Sequence, residues 1–277
     1  MPMTFFLPVS TYPDPTPTAG LLRAVDMAAS LGGEVTALVH EVDIEEVRSA
    51  FAHMLIDVSA MIAAAEARSH AAAAELTAEL EHLARRFRIP LTVRRARTRP
   101  DAAAALVASE ARTFDCSLLM PARASDDQAA VAEAVLFQSG GPAWVFPDGE
   151  ATAHLESAAV AWDGGRAAAR AVRDAMPMLE TVGHVTILCA TDDKTIGPTS
   201  VGHLQDQLRH HGIDAEARLF TRAEQPVGAA LQQAAIESGA GLMVMGAYGH
   251  SRVREFILGG ATRGVLDDRR LPVFMSH

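Results

Sequence analysis

Residues 241–266, GLMVMGAYGHSRVREFILGGATRGVL, decide how this chain is read. Leu242 to Met245 is an apolar run of the kind that makes a buried strand. It breaks at Gly246 and Gly249, passes through a short mixed segment, and breaks again at Gly259-Gly260 before Ala261-Thr262 open a helical run. A strand that ends in glycines and feeds a helix N-terminus can seat a phosphate. Glycine lets the backbone approach the anion, and the first helical amides turn unused N–H groups and the positive end of the dipole toward it. The spacing Gly246-x2-Gly249-x9-Gly259 is neither the dinucleotide G-x-G-x-x-G nor the P-loop G-x4-G-K-[ST], so both of those readings fail.

Outward from this stretch, apolar strand-like runs alternate with helical periodicity along the whole chain. Strands are expected at 4–9, 34–42, 91–97, 116–120 and 143–146, then again at 158–162, 185–190, 216–220, 242–245 and 273–275. Between them the spacing predicts helices over 19–31, 44–88 in two pieces, 101–113, 166–176, 199–211, 227–238 and 262–268. Leu76, Leu80, Leu83 and Phe87 make one apolar stripe on the long helical stretch. Such alternation gives a parallel sheet with helices on both faces.

The halves repeat. Met120 matches Met245 at an offset of 125, and Pro142 matches Pro272 at an offset of 130, so the first half is five residues short where the second carries its glycines. Pro121 stands in the place of Gly246 and Ser10 near that of Asp163; the first half keeps the scaffold and lacks the loop. The expected domains are 1–147 and 157–277, joined by a linker that begins Pro147-Asp148-Gly149.

Composition bounds the function classes. The chain has 277 residues, 49% of them hydrophobic, which supplies ample core. A formal charge of -10 and only 5% aromatic residues argue against a nucleic-acid partner. Cys116 and Cys189 lie in apolar runs and read as buried free thiols. No apolar run reaches the ~18 residues of a membrane helix, and the N-terminus lacks a leader's basic flank. The expectation is a cytoplasmic protein without a membrane partner. His210 and His211 are neighbours on a helix and face different ways, so no metal site is expected there.

The strand ending in Met245-Gly246, the glycines at 249 and 259, and the small residues after them resemble the signature of the universal stress protein family, G-x2-G-x9-G-[ST]. Gly260 departs from it, standing where a hydroxyl would be. The resemblance covers nearly the whole chain as a tandem. It implies two Rossmann-like α/β domains, each a five-stranded parallel sheet of order 3-2-1-4-5 with helices on both faces. In that order the first and fourth strands part at a crevice.

By the same resemblance the second domain binds ATP, or ADP or AMP, with Mg²⁺ as an allowed companion. Asp163, following Ala161-Trp162, would meet the nucleoside; its alternative is to cap the helix after Gly164-Gly165. Ala190 would border the base, and Met245 would pack on base or ribose or else belong to the core. Gly246 and Gly249 would wrap the ribose and phosphates, and Gly259, Gly260, Ala261 and Thr262 would form the phosphate seat. His250, Arg252, Arg254 and Arg263 are placed to add hydrogen bonds or charge, or else are solvated loop side chains. No P-loop lysine, paired carboxylates or nucleophile elbow is present, so no catalytic residue is assigned. The alternative function is a stress-linked interaction module without nucleotide. An unidentified protein partner is expected in either case. Family pairs join through their last strands, so residues 142–144 and 272–274 are the candidate edges of a dimer mimic within one chain, or of a homodimer.

Overall fold

Near-continuous apolar strands need cover on both faces, and each half of the chain supplies it with helices. The computed structural model describes residues 2–45, 57–121, 125–147, 155–192, 196–247 and 260–277. The chain divides into two units, Met1–Ser139 and Gly140–His277.

The first unit runs β1 (Thr4–Ser10), α1 (Thr18–Ser30), β2 (Glu34–Val42), α2 (Val58–Phe87), β3 (Leu91–Thr98), α3 (Pro100–Glu110), β4 (Cys116–Leu119) and α4 (Asp126–Gln138). Its strands are parallel in the order β3-β2-β1-β4. Phe5, Phe6 and Leu7 on β1 are wholly buried, as expected of a strand covered on both faces. β3 alternates half-buried and exposed positions and carries arginines outward.

The long helix is one piece among the described residues. Asp57 caps it by accepting the Ala60 N–H at 2.9 Å, and Arg88, at φ 56°, ends it in the left-handed conformation. Ala65, Ser69, Ala73, Leu76, Leu80 and Leu83 form its buried stripe. The part of the expected helix over 46–56 lies outside the described residues. Each buried leucine contributes about 1.5–3 kcal/mol of transfer free energy. Helix α4 went unassigned from sequence, although Val131, Ala132, Val135 and Leu136 share one buried face.

One polar relay ties α2 to the sheet. The Thr11 hydroxyl donates to the His40 carbonyl at 2.8 Å and lies 2.7 Å from Ser69 Oγ, which accepts the Val42 N–H at 2.9 Å. With Thr11 donating to His40, Ser69 must donate to Thr11. Every member is thereby satisfied, which a buried polar cluster requires.

The second unit holds β5 (Ala143–Val145), β6 (Ser157–Ala161), α5 (Arg166–Leu179), β7 (His184–Ala190), α6 (Pro198–His210), β8 (Ala215–Phe220), α7 (Val227–Glu237), β9 (Leu242–Gly246), α8 (Gly260–Asp267) and β10 (Val273–Ser276). The five strands from β6 onward are parallel in the order β8-β7-β6-β9-β10, the expected 3-2-1-4-5. Helix α5 passes Pro177, where the spacing predicts an end. A proline removes only one bond of the last turn, and buried Met178 and Leu179 hold that turn in place.

The strand count differs from expectation in one place. β5, expected as fifth strand of the first half, belongs to the second unit, where it runs antiparallel to β10 with Trp144 opposite Phe274. The Trp144 ring meets Phe274 edge-on at 5.6 Å and Phe146 face-on at 6.2 Å. Three residues of strand carry little backbone pairing, so this aromatic cluster anchors the segment.

Candidate functional site

The chain reverses direction across the sheet between β6 and β9, and a crevice opens where two such strands part. Ala161 pairs with Leu188, and Val160 with Val244. Continued past the strand ends, that register sets Asp163 beside Ala190 and Trp162 beside Gly246. Ala161, Trp162, Asp163, Ala190, Met245 and Gly246 therefore share the carboxyl edge of three adjacent strands.

The turn out of β6 is built by side chains on that edge. Asp163 is half-buried, and its Oδ1 accepts the Gly165 N–H at 2.8 Å. Gly164 adopts φ +71°, a left-handed conformation that glycine takes at no steric cost, and α5 begins immediately after. Asp163 thus closes an Asx turn ahead of α5, whose N-cap position is taken by Gly165. Trp162 Nε1 donates to Ser200 Oγ at 3.1 Å, which fixes the indole against the start of α6. Cys189 is buried just inside the edge. Burial first, and then the Asp163 carboxylate, push its thiol up to about 11, so it is neutral at physiological pH.

At two of the expected site positions the structure shows protein neighbours. Gly246 was assigned to the approach of a ligand. What approaches it is protein: a Cβ there would lie 2.4 Å from the Ala167 carbonyl carbon and 2.5 Å from the Ala168 nitrogen. The missing side chain lets the first turn of α5 sit directly on β9. Met245 is 3% exposed and stands beside Met275 of β10, so it is a core residue of the sheet.

The first turn of α8 carries the described part of the expected phosphate seat. Gly260 is exposed, with nothing among the described residues within 4 Å of where a Cβ would stand, and Ala261 is half-buried. Thr262 lies inside the helix at 2% exposure rather than capping it, because α8 begins two residues earlier than expected. Its hydroxyl is therefore turned away from solvent. Helix α8 packs closely on α7 at Gly228, where a Cβ would come within 2.6 Å of the Ala261 carbonyl. Arg263 points outward and pairs with Asp267 at 3.6 Å. Gly249, His250, Arg252, Arg254 and Gly259 lie outside the described residues.

Sequence reasoning missed three contributors to this edge. Ser200 holds Trp162. Asp192, just past β7, accepts the Arg222 N–H at 2.9 Å, and that bond holds its carboxyl below the usual range. The N-terminus of α5 brings the first turn of a second helix to this edge. The spacing predicts this helix over 166–176, but not the place of its first turn at the site. Among the described residues no cluster of His, Cys, Asp and Glu fits a metal ion. His210 and His211 turn to different partners, the Asp206 carbonyl and the Glu180 carboxylate. No described helix is long and apolar enough to cross a membrane.

No protein-family model matches the chain, and no curated protein does. Solved structures do. A universal stress protein from Archaeoglobus fulgidus superposes with a TM-score of 0.70 at 17% identity, covering 98% of this chain and 95% of that one. A candidate universal stress protein from Pseudomonas aeruginosa gives 0.55 at 15% identity, over 99% and 92% of the two chains. A functionally unknown protein of the same organism gives 0.54 at 15% identity, over 98% and 92%. In fold, this chain is built as the universal stress proteins are.

Proposed function

We propose that the chain acts as a universal stress protein whose second half binds an adenine nucleotide, ATP foremost, as a regulatory ligand. The observation that carries this reading is the juxtaposition at one strand-reversal point of Asp163, Ala190 and the end of β9, with the signature spacing continuing from Gly246 through 249 and 259. The Asp163 carboxylate would accept a ribose hydroxyl or base amine, and Ala190 would border the base. The amides at Gly260 and Ala261 would meet phosphate, joined by the first turn of α5. With no residue assigned to turnover, the nucleotide shifts populations between conformations or partners. Such a role suits a cytoplasmic regulator.

A second reading has support of its own. Asp163 already serves the α5 entry, and Gly246 is filled by helix backbone, so this edge makes sense as scaffold alone. The second half would then be an interaction module without nucleotide. Melting with and without Mg-ATP separates the two: a ligand at 100 times its Kd adds about 2.7 kcal/mol. Asp163→Asn sharpens the test. Asparagine keeps an oxygen for the Gly165 N–H but presents an amide donor where the second carboxylate oxygen was. Measured against the variant's own unliganded melt, the ATP shift should shrink. An absent shift with ATP, ADP and AMP, or an unaltered one in Asp163→Asn, would overturn the nucleotide reading.

A further inference from the structure

The first half lacks the glycine loop, yet the carboxyl end of its sheet is not filled in. A cavity of about 300 Å³ lies there, bounded by the ends of β1, β2 and β3, by α3 and α4, and by the loop after β1. A smaller chamber opens beside it past Ser10 and His40. The loop is held in place by hydrogen bonds rather than by packing into the space. Ser10 N–H donates to Thr16 Oγ1 at 2.9 Å, Thr16 N–H donates back to the Ser10 carbonyl at 2.9 Å, and Gln128 Nε2 donates to the Asp14 carbonyl at 2.6 Å. The relay through Ser69 fixes the backbone of His40 and Val42 from below.

The lining has a defined chemistry. Pro13, Val42, Pro100 and Val131 give it an apolar wall. Among the described residues no lysine or arginine lines either chamber, and the charged group that does is the Asp127 carboxylate. His40 lines both chambers at 9% exposure, and among the described residues no group hydrogen-bonds its imidazole. Burial lowers its pKa below the ordinary value of 6.5, so at neutral pH the ring offers one N–H donor and one acceptor nitrogen. A buried polar side chain normally has a partner. Here a cavity stands where that partner would be.

We propose that this cavity is a ligand site of the first half, taking an uncharged molecule of one or two fused rings. The ligand lays its apolar body on Val42 and Val131 and exchanges a hydrogen bond with the His40 imidazole. The volume sits at the small end of ligand pockets, about 300–1,000 Å³. Among the described residues the lining carries the Asp127 carboxylate and no cation, which disfavours phosphates and carboxylates. This site is separate from the nucleotide edge of the second half and does not depend on it.

The test uses benzimidazole, uncharged at pH 7.5, against benzoate, a charged ring of similar size. In ¹⁵N-histidine-labelled protein, benzimidazole should move the His40 ring resonances saturably, and benzoate should not. Ala104→Phe, which pushes a ring into the cavity, should abolish the response. His40→Phe keeps a buried ring but removes both nitrogens, and should weaken calorimetric binding about tenfold, the worth of one hydrogen bond. If Ala104→Phe does not fold, His40→Phe carries the test alone. Equal binding of benzoate, an unmoved His40 at saturating probe, or undiminished benzimidazole affinity in the folded variants would each overturn the proposal.

Discussion

Gly246→Ala separates two reasons for having glycine at the end of β9. If the position is kept bare for a ligand, alanine costs little until the ligand is added. If it is kept bare for α5, the protein suffers at once. A Cβ at this point would lie 2.4 Å from the Ala167 carbonyl carbon and 2.5 Å from the Ala168 nitrogen. Nonbonded carbon atoms settle at about 3.5–4.0 Å, so helix and strand must part by roughly 1 Å. Both obstructing atoms are backbone, and no rotamer can relieve them. Overpacking of this kind costs about 1–3 kcal/mol, and a rigid obstruction belongs at the upper end. The stiffer unfolded chain returns about 0.4–1 kcal/mol, leaving a net loss of about 2. At about 2–4 °C per kcal/mol, Tm should fall by roughly 4–8 °C. The assay is clean because both tryptophans, Trp144 and Trp162, lie in the second unit. Their emission during urea unfolding follows that unit, and the midpoint should drop with the slope unchanged. A nucleotide-free Gly246→Ala protein within about 0.5 kcal/mol of the parent would refute the packing account.

Among the described residues Gly260→Ala meets nothing within 4 Å at the start of α8, so the same urea titration should find stability unchanged or raised by up to about 1 kcal/mol. Ser69→Ala strips the Val42 N–H of its acceptor and Thr11 of its donor. It should cost about 1–3 kcal/mol and speed exchange of the Val42 amide. Cys189 gives a pH signature on the alkaline side. Its thiol titrates at about 11 when folded against 9.0 as the ordinary value, so between those limits the unfolded chain has released a proton that the folded chain keeps. Stability is full below pH 9.0 and falls as pH rises through the window, by at most about 1.4 kcal/mol per pH unit. Cys189→Ala should flatten that part of the stability–pH curve, and native Cys189 should resist thiol reagents at pH 8 until urea is added.

The sheet of the second half was legible because burial writes itself into composition. β6, β7 and β9 are apolar along their length, since helices cover both faces. The pairing of β5 was not legible, because three residues name no partner. The site was legible only as far as residue type goes. A glycine reports that something must come close, without saying whether it is a ligand or a neighbouring helix, and at Gly246 it is a helix. Asp163 carries the same ambiguity, since a strand-terminal carboxylate before two glycines suits a nucleoside and an Asx turn alike. The first half shows the converse. The missing glycines suggested a lost site, yet the cavity comes from residues without a motif: alanines and prolines that withhold volume, and one buried histidine just after the apolar run Ala37–Val39. Withheld volume leaves no periodicity to read. His40 was the available signal: a polar ring near the carboxyl end of a doubly covered strand needs a partner, and the space beside this one is the cavity it lines.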